Sequence, residues 1–324
     1  MKVKKRSLET KSKSTLFTRL LIRAYTTALR KTNMIRGSIT ALVTPFKDGG
    51  IDEQAFQDFV EWQIASGTHG LVPCGTTGES ATLTDEEHQR VIRLTSEAAN
   101  GRVPVIAGAG SNETRVSIKY AEHAKAMGAD AALVVTPYYN KPSQEGLYQH
   151  FKAISEAVDI PIVVYNIPGR SIVDIEQATM ERIAKLPTVI GCKDATGDIA
   201  RVAGLTVRCG EDFIQLSGDD ATAMGHSAHG GSGSISVGSN VAPVEYAAFQ
   251  NALLEGDYAL AREWNAKLDR LHKDLFVDPS PAPAKYALSL MGKMQPTVRL
   301  PITECRESTK QLVKVAMAQA GVSV

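Results

Sequence analysis

The sequence repeats one pattern eight times: a short apolar run ending in Gly, Pro, Thr or Asp, then an amphipathic stretch of 10–16 residues. The runs are Ser38–Phe46, Gly70–Gly75, Val103–Gly110, Ala131–Tyr139, Pro161–Pro168, Thr188–Ala195, Phe213–Asp220 and Ser232–Ser239. Their starts lie 32, 33, 28, 30, 27, 25 and 19 residues apart, which is the rhythm of βα units and too wide for the hairpins of a sandwich. Ala131–Thr136 and Pro161–Val164 are apolar without alternation, as strands covered on both faces of a parallel sheet are. Helix starts are marked as well. Thr84 with Glu87 predicts a capping box before Val91, Ile92 and Leu94, and Asp174 with Gln177 predicts a second before Ile183 and Leu186.

Eight consecutive βα units predict an α/β chain closed into a (β/α)8 TIM barrel over residues 34–255. The rival is an open doubly wound sheet. That fold carries a Gly-rich phosphate turn after its first strand, and here the turn reads Thr44-Pro45-Phe46. Residues 256–324 add a C-terminal helical region, with helical stretches near 257–277, 283–291 and 304–320.

Charge separates the first 33 residues from the rest. The chain has 36 basic and 35 acidic residues, and residues 1–33 hold ten of the former and only Glu9 of the latter, so the remainder carries −8. A body of that charge argues against nucleic acid as a partner. The leader, with Arg19, Arg23 and Arg30 among Leu, Ala and Thr, has the composition of an organelle transit peptide; the alternative is a start codon placed upstream of Met34. Its apolar run at Leu20–Ile22 is far short of a membrane span, and no other segment approaches about 18 apolar residues. Cys74, Cys192, Cys209 and Cys305 form no CxxC pair and no zinc spacing. They read as reduced thiols of a cytoplasmic protein, or of an organelle if the leader targets one.

In a barrel, chemistry collects at the carboxyl ends of the strands. The most informative end is the sixth, where Lys193 follows Val189-Ile190-Gly191-Cys192. Apolar surroundings disfavour the ammonium form, and a neutral amine can form an imine with a carbonyl substrate. A strand-end lysine turned to solvent, or paired with Asp194, is the plainer alternative. Tyr165 ends the adjacent fifth strand, and neighbouring strands run about 4.8 Å apart, so its phenol can reach whatever Lys193 binds and relay protons there. Gly75-Thr76-Thr77-Gly78 offers two hydroxyls and free amides that suit a small carboxylate, although it is equally an ordinary tight turn. Arg170, after Gly169, can grip a carboxylate through two hydrogen bonds. Asp219-Asp220 lacks a third metal ligand and reads as a turn or helix cap.

Taken together, Gly75-Thr76-Thr77-Gly78-Glu79, Thr136-Pro137-Tyr138-Tyr139, Tyr165-Asn166-Ile167-Pro168 and Gly191-Cys192-Lys193-Asp194 resemble the dihydrodipicolinate synthase / N-acetylneuraminate lyase family, over about residues 34–322. Arg170 and the stretch from Tyr138 to Gly146 resemble its synthase branch, because the sugar-acid lyases typically lack that arginine. The resemblance implies a lyase that condenses pyruvate with L-aspartate 4-semialdehyde through a lysine imine, the first committed step of lysine (diaminopimelate) biosynthesis. It needs no metal and no organic cofactor. Lys193 is implied as the imine lysine and Tyr165 as the proton relay, joined to Thr76 and to Tyr139 of a neighbouring subunit. Thr77 is implied to hold the pyruvate carboxylate, Arg170 the semialdehyde, and Gly218 and Ile235 to contribute backbone groups.

The resemblance further implies a homotetramer built as a dimer of dimers, with feedback inhibition by L-lysine at a separate site. That site includes Ser80, Ala81, His88, Asn112 and Tyr138, although His88 by itself reads as a solvated surface residue. Val116 stands where lysine-sensitive relatives often carry a glutamate, which implies weaker inhibition. Two rivals remain. A sugar-acid aldolase shares Lys193 and Tyr165 and has less use for Arg170. A keto-acid sensor without turnover has no need of Lys193, Tyr165, Thr76 and Tyr139 together.

Overall fold

The apolar runs become the strands of one closed ring in a computed structural model that describes residues 35–323. Both readings of residues 1–33 fall outside the described residues. The strands are β1 (Gly37–Ala41), β2 (Gly70–Val72), β3 (Ile106–Gly108), β4 (Ala131–Val135), β5 (Ile162–Asn166), β6 (Val189–Asp194), β7 (Ile214–Ser217) and β8 (Gly233–Ser236). All pair in parallel in the order β2-β1-β8-β7-β6-β5-β4-β3. A parallel bridge between Leu71 and Val105 closes β2 on β3. This is the (β/α)8 barrel that the repeat predicts.

Each strand is shorter than its apolar run, because the Gly, Pro and Thr residues at the end of the run leave the ladder and form the mouth. The first run shows this most clearly. β1 stops at Ala41, and Phe46–Lys47 pairs instead with Gly50–Ile51 in a small antiparallel hairpin. Side chains alternate across the wall as the two-residue period requires. Ile39, Leu133, Val163, Tyr165, Leu216 and Ile235 fill the interior. Val134, Ile162, Val164 and Cys192 face the helices.

The barrel helices are α1 (Glu53–Ala65), α2 (Asp85–Ala99), α3 (Thr114–Ala126), α4 (Gln144–Ala157), α5 (Gln177–Ile183), α6 (Ala200–Cys209), α7 (Ala223–Ala228) and α8 (Pro243–Leu254). Helix α2 carries the predicted capping box: Glu87 N–H donates to Thr84 Oγ1 at 3.2 Å and Thr84 N–H donates to Glu87 Oε2 at 3.0 Å. The second predicted box does not form. Helix α5 begins at Gln177 with Glu176 as its N-cap and no side-chain cap bond. Asp174 is taken up elsewhere, by Asn166 at the end of β5 and Arg201 on α6. Three further helices follow: α9 (Tyr258–Asp274), α10 (Ala282–Leu290) and α11 (Glu307–Ala320). Leu268, Leu271, Ala284, Leu288, Val313 and Met317 from these helices share one apolar cluster with Phe249 and the outer barrel wall. Among the described residues, no helix is long and apolar enough to cross a membrane.

Candidate active site

The pairing of β5 with β6 sets the centre of the mouth. Ile162 lies opposite Val189, but Val163 lies opposite Gly191, so Ile190 is an extra residue in β6. Such a bulge shifts every later residue by one step and turns it to the other face. Beyond it Tyr165 pairs with Lys193, and Lys193 pairs on its other side with Leu216 of the interior. Lys193 is only 7% exposed, and its Nζ stands 4.1 Å from the centroid of the Tyr165 ring. The plainer alternative of a solvent-facing lysine is therefore excluded. Nor does Asp194 pair with Lys193, because alternation sends the two side chains to opposite faces of β6.

Asp194 instead anchors a buried brace behind the mouth. Arg201 Nε donates to Asp194 Oδ2 at 3.0 Å, and Thr196 N–H and Oγ1 donate to Asp194 Oδ1 at 2.8 and 2.6 Å. The same guanidinium reaches Asp174 Oδ2 at 3.2 Å and the Ile175 carbonyl at 2.7 Å. Asn166 Nδ2 donates to Asp174 Oδ1 at 2.7 Å, and Ile175 N–H donates to Asn166 Oδ1 at 3.1 Å. The ends of β5 and β6 are thus tied through polar groups that are nearly all satisfied, as burial of charge demands. Nothing in the sequence marks Arg201 for this role, since it sits on an amphipathic helix like many others.

Gly218 touches the lysine directly. Its N–H donates to the Asp194 carbonyl at 2.7 Å, and a Cβ placed on it would lie 2.9 Å from Lys193 Cε. Only glycine lets the loop after β7 approach this closely. Ile235 of β8 is 2% exposed and faces the same interior. Asp219 serves the turn, as expected, with its Oδ2 accepting from Thr222 N–H and Oγ1, whereas Asp220 reaches across to the loop after β8, where its Oδ2 accepts from Val237 N–H and Gly238 N–H. Among the described residues, no group of three His, Cys, Asp or Glu could hold a metal ion.

The threonine turn is tighter than its sequence suggests. Gly78 and Ser80 N–H donate to the Gly75 carbonyl at 3.0 and 3.4 Å, and Glu79 N–H donates to the Thr76 carbonyl at 3.1 Å. Those amides are spent inside the turn, which narrows the expected anion nest to Thr76 and Thr77. Thr77 is buried and Thr76 is exposed. Thr44 Oγ1 donates to the Gly78 carbonyl at 2.8 Å and fastens the turn to the loop after β1. Glu79 sits in the left-handed region at φ 56.

A cavity of about 490 Å³ opens beside this turn. Thr76 and Arg170 are among the residues that line it, together with Ser80, Ala81, His88, Val116 and Tyr138. Asn112 does not line it; its carbonyl accepts from Asn140 Nδ2 at 2.8 Å. Arg170 is exposed on a single helical turn, Pro168–Ser171. His88 is no surface residue: it is 2% exposed and stacked on Tyr120, with ring centroids 4.3 Å apart. Burial pulls its pKa down to about 4, so the ring is neutral at physiological pH. Tyr139 behaves in the opposite way. It is 89% exposed with φ at 75, an uncommon conformation for a residue with a side chain. Within one chain, Lys193 and Tyr165 come together, while Tyr139 stands in solvent.

Comparison with known proteins adds the relatives. A model of the dihydrodipicolinate synthetase family matches residues 34–320. The 4-hydroxy-tetrahydrodipicolinate synthase of Afipia carboxidovorans is 58% identical over 287 residues, covering 89% of this chain and 97% of its own length. That of Bradyrhizobium diazoefficiens is 55% identical over 287 residues, with the same coverage of 89% and 97%. Among solved structures, the chloride-inhibited dihydrodipicolinate synthase from Acinetobacter baumannii complexed with pyruvate superposes with a TM-score of 0.87 at 45% identity, covering 89% of this chain and 100% of that one. The DHDPS from Cyanidioschyzon merolae with lysine bound gives 0.86 at 35% identity, covering 90% and 99%.

Proposed function

This chain belongs to the dihydrodipicolinate synthetase family, and from that premise we propose that its barrel mouth runs the 4-hydroxy-tetrahydrodipicolinate synthase reaction on Lys193. It is a Schiff-base lyase of lysine (diaminopimelate) biosynthesis that condenses pyruvate with L-aspartate 4-semialdehyde. The observation that carries the assignment of Lys193 is the buried amine, 4.1 Å from the Tyr165 ring at the carboxyl end of β6.

The chemistry follows from those two groups. The Lys193 amine adds to the pyruvate ketone, and loss of water gives the imine. The protonated imine draws electrons from the neighbouring methyl, which loses a proton to leave an enamine. The enamine carbon attacks the aldehyde of the semialdehyde, whose oxygen takes up a proton. The semialdehyde's own amine then adds to the imine carbon, closes the ring and releases Lys193. The protonated imine is the electron sink, so this sequence calls for no metal or organic cofactor.

Tyr165 relays the protons, with Thr76 and the partner subunit's Tyr139 extending the relay. What supports a shared relay is the solvent-exposed Tyr139, held at positive φ as if shaped for another surface. The exposed ring supports a contact between two copies, and the family resemblance is what implies a homotetramer assembled as a dimer of dimers. Thr77 receives the pyruvate carboxylate, and Gly218 contributes its carbonyl, since its N–H already donates to Asp194. Ile235 contributes backbone from β8, two strands from β6, and Arg170 takes the semialdehyde carboxylate from the cavity side. L-lysine is the feedback inhibitor, held among Ser80, Ala81, His88 and Tyr138 in that cavity, with Asn112 at its margin. The reaction belongs in the cytoplasm, in keeping with four cysteines that are all free thiols.

The deciding experiment is borohydride reduction in the presence of pyruvate. One reduced pyruvyl group is expected on the peptide that holds Lys193. Labelling of another lysine, or labelling that persists in Lys193→Ala, would sink the assignment.

A further inference from the structure

We propose that Lys285, on helix α10 of the C-terminal region, is a positioning residue for the threonine turn, acting through Glu79. The inference rests on the reading of the mouth as a pyruvate site, and it concerns residues 206 positions apart in the chain.

Glu79 is the last residue of the Gly75-Thr76-Thr77-Gly78-Glu79 motif and adopts a left-handed backbone, φ 56 and ψ 35, that residues with side chains rarely take. Something must hold it there. Lys285 Nζ donates to Glu79 Oε1 at 2.7 Å, and Arg299 N–H donates to Glu79 Oε2 at 2.9 Å. Both carboxylate oxygens are therefore taken by the C-terminal region. Lys285 is fully buried, with its ammonium 4.1 Å from the centroid of the Phe46 ring. The Arg299 guanidinium lies 4.2 Å from the same ring and grips both oxygens of Glu87 at 2.6 Å. Phe46 in turn belongs to the loop of Thr44, whose hydroxyl holds Gly78. The turn is thus fixed at two successive residues, Gly78 by Thr44 and Glu79 by Lys285, and Thr76 and Thr77 are presented between these anchors and β2.

A buried ion pair is a weak way to stabilise a fold, since an apolar pair of similar volume often does as well or better. What the pair supplies here is direction: it fixes where the Glu79 carboxylate lies, and with it the backbone that closes on the Thr76 carbonyl. Burial pulls the Lys285 pKa down to about 8, against the raising effect of Glu79, so the carboxylate is what keeps the ammonium charged near neutrality.

The test compares Lys285→Met, which leaves the Glu79 carboxylate unpaired, with Glu79→Gln/Lys285→Met, which leaves no buried charge at the site. The pyruvate dependence of borohydride trapping reads the function of the turn. Hydrogen exchange of the amides of Gly78, Glu79 and Ser80 reads its geometry. Positioning predicts that half-saturation with pyruvate rises about tenfold or more in both variants, with a smaller fall in the maximal trapping rate, and that these amides exchange faster. Val313→Ala in α11, also fully buried, is the control: it lowers the melting temperature and leaves the pyruvate dependence unchanged. If Lys285→Met does not fold, the neutral double variant decides. A folded double variant with the pyruvate dependence and amide exchange of the unaltered protein would overturn the inference. If the unaltered protein traps no pyruvate, it is the proposed function that fails, and amide exchange alone then decides whether Lys285 positions the turn.

Discussion

Replacing Gly218 with alanine adds a single methyl group, and the structure says where it goes. The new Cβ would sit 2.8 Å from Ala195 Cβ, 2.9 Å from Lys193 Cε and 3.2 Å from the Asp194 carbonyl oxygen. Carbon atoms pack comfortably at about 3.5–4.0 Å, so the lysine stem must retreat by roughly 0.6–1 Å. The φ of Gly218 lies outside the left-handed range, so the substitution carries no backbone penalty and the effect is steric. Overpacking of this kind costs about 1–3 kcal/mol of stability. The larger consequence is kinetic, because a misplacement near 1 Å at a reacting group costs about 100-fold in rate, or about 2.7 kcal/mol of barrier. The assay is single-turnover trapping of the pyruvate imine, alongside thermal unfolding. Gly218→Ala should remain folded and trap pyruvate about 100-fold more slowly. Gly50→Ala, where a Cβ meets nothing within 4 Å, should do neither harm. A folded Gly218→Ala that traps at the unaltered rate would refute the contact between this loop and the lysine stem.

Four further outcomes follow from the site. Arg170→Ala should cost about 1.5–3 kcal/mol in kcat/KM for the semialdehyde, roughly 10- to 150-fold, while imine formation with pyruvate survives in the trapping assay. Mixing Tyr139→Phe with Tyr165→Phe subunits should restore activity in hybrid oligomers, and none should return at any ratio if each site is built from one chain. L-lysine, and not D-lysine, should slow initial rates at millimolar concentration, and His88→Ala should blunt the effect; calorimetry that registers no heat of L-lysine binding would argue against the site. His88, His150 and His226 are buried, and burial pulls each pKa from the usual 6.5 down to about 4. The unfolded chain therefore binds more protons across that window, so stability is fully present above about pH 6.5 and is lost as pH falls to about 4, by up to about 3 kcal/mol per ring. Melting temperatures across the window measure it, and His150→Gln should flatten the slope.

Much of this architecture is legible in the sequence because barrel strands are local. Eight apolar runs at βα spacing lead to the ring, and Lys193 and Tyr165 stand out because each ends a run. Strand ends were less legible. Pairing stops where Gly, Pro and Thr begin, and a hydrophobic pattern cannot see that boundary. The side-chain ties were not legible at all. Asp174 looks like a helix cap until Arg201 is seen to reach it across 27 positions. Glu79 and Lys285 meet only after the whole barrel has closed. His88 reads as a surface residue because the helix around it is polar, and the Tyr120 ring stacked on it comes from another helix. Tyr139 is the reverse case: it sits in a strand-end motif, yet its ring stands in solvent.

The extra residue at Ile190 decides which atom the barrel offers to a ketone. Were Ile190 paired opposite Val163 and not bulged, Cys192 would fall opposite Tyr165 and face the interior, and Lys193 would point into the helix layer. A carbonyl arriving at the mouth would then meet sulfur, which forms a hemithioacetal that cannot act as an electron sink, in place of nitrogen, which forms an imine that can. The bulge is therefore a choice of nucleophile written as a choice of register, with no side chain at the mouth replaced.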